Sequence, residues 1–151
     1  FCFSDEKLQK KLDKIGPSWL ENLEITDFFH IFRNKNQKMN VCKFLMNQRY
    51  TSGIGNYLLS EILYAAKINP WVTLGEVSNS DIIKIYKHGC KIIMASYLSN
   101  GVSVRTYQGI YEDKGEYTFN LKAYAQTNNP KIVSENGPHN RTIWWDPSRQ
   151  K

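Results

Sequence analysis

Gly53-Ile54-Gly55-Asn56 is the stretch of this chain whose residue types and spacing most directly suit chemistry. Two glycines flanking an isoleucine allow a backbone that approaches another molecule closely, with φ values that side chains forbid. The residues that follow read as a helix, and the first N–H groups of a helix have no partner within it. Such a helix start is an anion site, and phosphate is the obvious anion for a basic protein. Asn56 then either caps the helix or donates its amide to a phosphate oxygen, while Ile54 anchors the loop in the core. A plain interhelical turn with Asn56 as N-cap answers to the same residues.

The composition sets the frame for that turn. The chain has 151 residues and a net charge of +6, from 20 Lys and Arg against 14 Asp and Glu. The length suits one domain or two small ones, and seven Phe, nine Tyr and four Trp supply bulky core material. The positive balance points toward nucleic acid or another anionic surface. Cys2, Cys42 and Cys90 lie far apart with no Cys-x-x-Cys pair, which excludes a zinc knuckle or a redox motif and fits a reducing, intracellular setting. Cys42 and Cys90 fall in helical patterns and read as core thiols. No apolar run approaches the roughly 18 residues of a membrane span, and no signal-peptide pattern is present.

Several elements must position the turn. Ser4 caps a first amphipathic helix carrying Leu8, Leu12 and Ile15, which Gly16-Pro17 ends. A second helix is expected to start at Thr26, with Phe28, Phe29 and Phe32 on its apolar face. Asn40 can cap a third, with Val41, Phe44 and Leu45, running to about Gln48. A fourth spans about Tyr57 to Lys67, before Asn69-Pro70. Ser78 or Ser80 caps a long fifth helix, with Ile82, Tyr86, Ile93 and Tyr97 on one face and Asn100-Gly101 as its stop. Residues 102–124 are aromatic-rich and irregular. Lys131-Ile132-Val133 and Arg141-Thr142-Ile143-Trp144-Trp145 then form a β-hairpin around the connector Ser134 to Asn140. The expected fold class is mainly α, a bundle of about five helices followed by a small β-hairpin. Phe1-Cys2-Phe3 reads as the end of a strand, and the chain as the C-terminal portion of something longer.

Taken together, Phe44-Leu45-Met46-Asn47-Gln48, Gly53-Ile54-Gly55-Asn56-Tyr57 and Glu61-Ile62-Leu63-Tyr64-Ala65-Ala66-Lys67-Ile68-Asn69-Pro70 resemble the helix–two-turn–helix element of the formamidopyrimidine-DNA glycosylase/endonuclease VIII (Fpg/Nei) family. Leu12-Asp13-Lys14-Ile15-Gly16-Pro17 resembles the segment that precedes this element. Family members end in a zinc finger. Here Lys131, Ser134, Asp146 and Arg149 occupy the four cysteine positions, and none is a suitable thiolate where zinc needs about four ligands. His139 has no neighbouring ligand and reads as a surface-loop histidine. The hairpin therefore resembles the zincless finger of animal and giant-virus members, with no cofactor or metal. Trp144 and Trp145 alternate along a strand, so one of them can pack on the helices. A giant-virus origin is also expected from the Asn-, Ile- and Lys-rich composition.

The resemblance implies residues 1–3 as the end of a missing N-terminal β-sandwich domain, 4–101 as the helical domain, 102–124 as a lesion-side loop and connector, and 125–151 as the finger hairpin. It implies a base-excision-repair DNA glycosylase and AP lyase acting on oxidised bases, with duplex DNA as partner, a monomer, intracellular and without a membrane. Holding a flipped nucleotide costs a few kcal/mol of unstacking, which phosphate contacts must offset. Asn56 and the backbone at Gly53 and Gly55 would bind the phosphate beside the lesion. Arg141 would bind it bidentately and assist δ-elimination. Without the resemblance Arg141 reads as a solvated hairpin charge. Arg105 falls in the loop abutting the everted base. Gln48 and Glu61 would brace the two-turn element, and Lys43, Arg49, Lys67 and Lys122 would add nonspecific phosphate contacts. The family's Schiff-base nucleophile is an N-terminal Pro amine, which is absent here, so the chain alone is expected to be inactive. A non-catalytic nucleic-acid-binding module is the alternative.

Overall fold

The computed structural model describes residues 15–98 and 121–151, without the His139 side chain. The expected first helix, the end-strand at Phe1 to Phe3, the stop at Asn100-Gly101, Arg105 and nearly all of the aromatic-rich segment lie outside them. So does the reading of His139.

The first described helix, α1 (Ile25–Asn34), starts one residue before Thr26. Glu24 is its N-cap, and the Asp27 carboxylate reaches back to the Glu24 N–H at 3.4 Å, which places Thr26 inside the first turn. Phe28 and Phe32 are fully buried, and Phe29 packs partly against them. Helix α2 (Val41–Met46) follows Asn40, but the Asn40 side chain does not cap it: its amide donates to the Trp71 carbonyl at 2.6 Å. The helix stops at Met46, two residues short of Gln48, because Asn47 turns extended.

Helix α3 (Asn56–Ala66) is the centre of the molecule. Leu58, Leu59, Ile62, Leu63 and Ala66 are all buried in it, and Lys67 closes it in the left-handed conformation. Helix α4 (Asn79–Leu98) packs across α3. Of the two candidate caps, Ser78 is the one used: its hydroxyl accepts the Asp81 N–H at 3.2 Å. The inward face of α4 is Ile82, Ile85, Gly89, Ile93 and Ser96. Tyr97 departs from the expected face and is 64% exposed, because the buried stripe passes through Ile93 to Ser96 instead.

Trp19 is the residue that seals this bundle. It is buried, with its ring 5.0 Å from Phe28, and Phe32 and Phe44 extend the aromatic stack. The ring lies against Gly89, where a Cβ would stand 2.6 Å from it, so only glycine leaves it room. Its indole N–H donates to buried Thr51 Oγ1 at 3.0 Å.

The chain ends in an antiparallel pair, β1 (Val133–Asn136) and β2 (Thr142–Trp145), with Val133 opposite Trp145 and Asn136 opposite Thr142. The first strand thus lies later than Lys131 to Val133. The pairing takes in Ser134 to Asn136, although their turn-forming composition suits a connector. The register follows burial: Ile143 and Trp145 face the core, and alternation leaves Trp144 on the other side. Among the described residues the architecture is mainly helical with one small antiparallel sheet, and no helix is long and apolar enough to cross a membrane.

Candidate nucleic-acid interface

The turn from Asn47 to Gly55 is held on two sides. From within, the Gln48 side chain spans it: Oε1 accepts the Gly53 N–H at 2.9 Å, and Nε2 donates to the Ile54 carbonyl at 2.8 Å and to Met46 O at 3.2 Å. Ile54 is 1% exposed and anchors the loop in the core. From outside, Gly16 to Trp19 runs alongside. Gly16 N–H donates to Gln48 O at 2.8 Å, Ser52 N–H to Pro17 O at 2.9 Å, and Trp19 N–H to Ser52 O at 3.0 Å. Gly16 allows this approach, since a Cβ there would lie 2.2 Å from the Tyr50 carbonyl oxygen.

The two glycines of the turn differ. Gly53 has φ +115°, a conformation that favours glycine. Gly55 does not: with φ −96° and ψ −177° it is ordinary extended backbone, and it serves as N-cap of α3. A Cβ on Gly55 would meet nothing within 4 Å among the described residues, which leave that side open.

Asn56 is the first residue of α3 rather than its cap. Its side-chain Nδ2 donates to the Thr142 carbonyl on β2 at 2.8 Å, across 86 residues of chain. Its Oδ1 is buried and has no partner among the described residues. Thr142 follows Arg141, so the bond brings Asn56 and Arg141 to the same corner of the molecule. The Arg141 side chain is exposed, while its backbone is fixed: Gly137 N–H donates to Arg141 O at 2.7 Å, and Arg141 N–H to Pro138 O at 3.2 Å. Gly137 is itself required there, since a Cβ would stand 2.3 Å from Ile143. Lys43, Arg49 and Lys122 are exposed, as is Lys67 at the opposite end of α3.

Glu61 is buried, and its side chain makes no hydrogen bond to the two-turn loop among the described residues. Its carboxylate instead collects three consecutive backbone N–H groups, of Lys122 at 2.6 Å, Ala123 at 2.8 Å and Tyr124 at 2.7 Å. This offsets the cost of burying the charge and ties the approach to the hairpin onto α3. Tyr124 then stands edge-on to Tyr57 on α3 and to Trp144 on β2, at 6.2 and 6.3 Å. Nothing in the sequence marked this partnership, because the groups Glu61 binds are main-chain atoms.

The hairpin closes through side-chain hydrogen bonds. Asp146 Oδ1 accepts both the Ser148 N–H at 2.9 Å and the Ser148 hydroxyl at 2.6 Å. The fully buried Gln150 accepts the Asp146 N–H at 2.7 Å and donates to the Ile68 carbonyl at 3.0 Å. The Ser148 hydroxyl holds the Asp146 carboxyl below its ordinary value, with the N–H groups of Ser148 and Arg149 adding to it against the opposing effect of burial. Arg149 donates to the Tyr64 carbonyl at 2.9 Å and lies 4.5 Å over the Tyr64 ring. Ser134 is paired opposite Trp144 in the sheet, and Lys131 is exposed. With Asp146 and Arg149 so engaged, these four residues are not a donor set that suits zinc. No three of His, Cys, Asp and Glu cluster among the described residues.

Comparison with known proteins yields a consistent pattern. A family model described as the formamidopyrimidine-DNA glycosylase H2TH domain matches residues 5–108. The formamidopyrimidine-DNA glycosylase of Corynebacterium glutamicum (strain R) is 32% identical over 136 residues, covering 85% of this chain and 47% of the relative. That of Listeria monocytogenes serovar 1/2a is 28% identical over 125 residues, 82% of this chain and 45% of the relative. A complex of Lactococcus lactis Fpg with DNA containing an abasic site shares the fold at a TM-score of 0.76, with 21% identity over 99% of this chain and 57% of that one. A complex of inhibited Lactococcus lactis Fpg with DNA containing N7-benzyl-Fapy-dG reaches 0.79 at 21% identity, over 99% and 56%. The chain spans about half the length of the relatives it matches.

Proposed function

Because the chain belongs to the formamidopyrimidine-DNA glycosylase H2TH family, we propose that it is the damaged-DNA-gripping half of a base-excision-repair DNA glycosylase and AP lyase. The observation that carries this reading is the corner where the Asn56 amide meets β2 beside Arg141. A side-chain amide has two N–H groups. Thr142 takes one, and the other serves a phosphate oxygen. The exposed Arg141 guanidinium supplies a bidentate partner for the same phosphate, and the open side of Gly55 lets the DNA backbone come close. The start of α3 adds its own N–H groups to the anion site. Lys43, Arg49 and Lys122 contribute sequence-independent attraction.

The substrate is duplex DNA carrying an oxidised base or an abasic site, held by a monomer. The hairpin is a zincless finger, with the Asp146–Ser148–Gln150 bonds in place of metal. Arg141 assists the departure of the phosphate in δ-elimination. The nucleophile of the glycosylase step is a Pro amine outside this chain, so this chain alone forms no covalent adduct.

Titration of a labelled duplex containing an abasic-site analogue, beside the same duplex undamaged, tests the reading. Tighter binding of the abasic-site duplex is expected. Equal binding of the two, or none, sinks it. Borohydride trapping on an abasic-site duplex tests the location of the nucleophile: no adduct is expected with this chain alone, and a trapped adduct places a reactive amine within it.

A further inference from the structure

A second concentration of positive charge starts at the opposite end of α3 from Asn56, where Lys67 and Lys84 come together. That helix is 11 residues long, about 16 Å at its usual rise. On α4, Lys84, Lys87, His88 and Lys91 fall at the spacing that puts them on one face, opposite buried Ile82, Ile85, Gly89 and Ile93. The three lysines are exposed and His88 is half-buried. Arg149 joins them from the end of the hairpin, held by the Tyr64 carbonyl and ring. Burial, and then Lys91, Arg149 and Lys84 in turn, hold His88 below its ordinary pKa, which places those three cations within electrostatic reach of one imidazole. Lys67 and Lys151 line one open cavity of about 150 Å³ with Lys84. Glu76 and Asp81 also line that cavity, and Asp81 pairs with Lys84 at 3.7 Å, the one ion pair among the described residues. Lys87 and Lys91 are left with no ion-pair partner among them.

We propose that this α4 face binds the phosphate backbone of a second duplex DNA segment, distinct from the segment gripped at Asn56 and Arg141. The proposal rests on the reading that this chain grips DNA at that corner. Lys84 to Lys91 spans about 10 Å along the helix. Duplex DNA presents one negative charge per about 1.7 Å of axis, so the stripe faces about six phosphate charges. Lysine ammonium groups are mobile point charges rather than base-reading forks, so the contact is sequence-independent. A protein with two such faces can hold its lesion strand while sampling a neighbouring duplex.

The test saturates this chain with an unlabelled short duplex containing an abasic-site analogue and then titrates in a labelled undamaged duplex. A ternary complex is expected, with a salt slope of about −3 if three lysines contact phosphates. The triple variant K84E/K87E/K91E, checked for its fold by circular dichroism, should bind the second duplex about tenfold or more weakly while holding the first within about twofold. Failure of the parent to take a second duplex overturns the proposal, as does unchanged second-duplex binding by the variant, the result expected if the stripe serves an acidic protein instead. Equal weakening of both duplexes overturns it too, since the stripe would then belong to one continuous track. If the parent binds no abasic-site duplex at all, the functional reading above fails. In that case, undamaged duplex titrated alone into parent and variant still decides whether the stripe binds DNA.

Discussion

The Asn56 side chain donates to the Thr142 carbonyl at 2.8 Å, and this bond joins the first turn of the central helix to a strand 86 residues later. The turn supplies a helix start, the strand supplies Arg141, and neither makes an anion clamp alone. The orphaned Oδ1 of Asn56 marks the same corner as unsaturated.

Asn56→Ala and Arg141→Ala should each weaken binding of an abasic-site duplex by about tenfold, the value of one charge-assisted contact. Asn56→Ala should also lower stability by about 1 kcal/mol through loss of the Thr142 bond, whereas Arg141→Ala leaves it unchanged. Anisotropy titrations and urea unfolding separate the two effects. Parent-like binding by both variants would show that the clamp lies elsewhere.

The two glycines should respond oppositely. Gly53→Ala forces a side chain into φ +115° and should cost about 1 kcal/mol or more. Gly55→Ala meets open space in ordinary extended backbone, so thermal stability should hold while DNA affinity falls. A Gly55→Ala protein with undiminished affinity would mean that no ligand approaches there.

Glu61→Ala strands three backbone N–H groups at once, that of Ala123 buried, and should destabilise the protein by about 2 kcal/mol or more. Hydrogen exchange should rise first at Lys122, Ala123 and Tyr124. Uniform exchange across the molecule would argue that these bonds add nothing local.

Gly89→Ala tests the Trp19 contact. In an exposed helix the change would stabilise by about 1 kcal/mol. Here the new methyl meets a buried ring wedged against Phe28 and Tyr86, so overpacking should win with a net loss of about 1–3 kcal/mol. Chemical denaturation reads the sign directly.

Asp146 sets an acid limit on the hairpin. Its folded-state pKa is depressed, chiefly by the Ser148 hydroxyl, so folding favours the ionised form. The stabilisation is complete above the unfolded carboxylate value near 3.9 and is lost as pH falls from there through the lower folded value. Asp146→Asn should be less stable at neutral pH and should show a flatter acid limb in thermal melts. A chelator should leave the parent's melting temperature unchanged.

Local chemistry made much of this protein legible from the chain alone. Apolar spacing and stop signals located the four described helices to within a residue or two at most ends. The Gly-x-Gly-Asn turn and the helical segments on either side of it carried the family resemblance. These signals survive in sequence because they act over a few residues, through backbone freedom, capping and side-chain period. Tertiary structure decided which glycine needs its φ, that Ser78 rather than Ser80 caps α4, and that β1 begins at Val133. It also decided the partners of Asn56 and Glu61. Those partners are backbone carbonyl and N–H groups more than sixty residues away. Every residue carries such groups, so no residue type announces them, and only the packing of β2 and residues 121–124 against α3 brings them within reach.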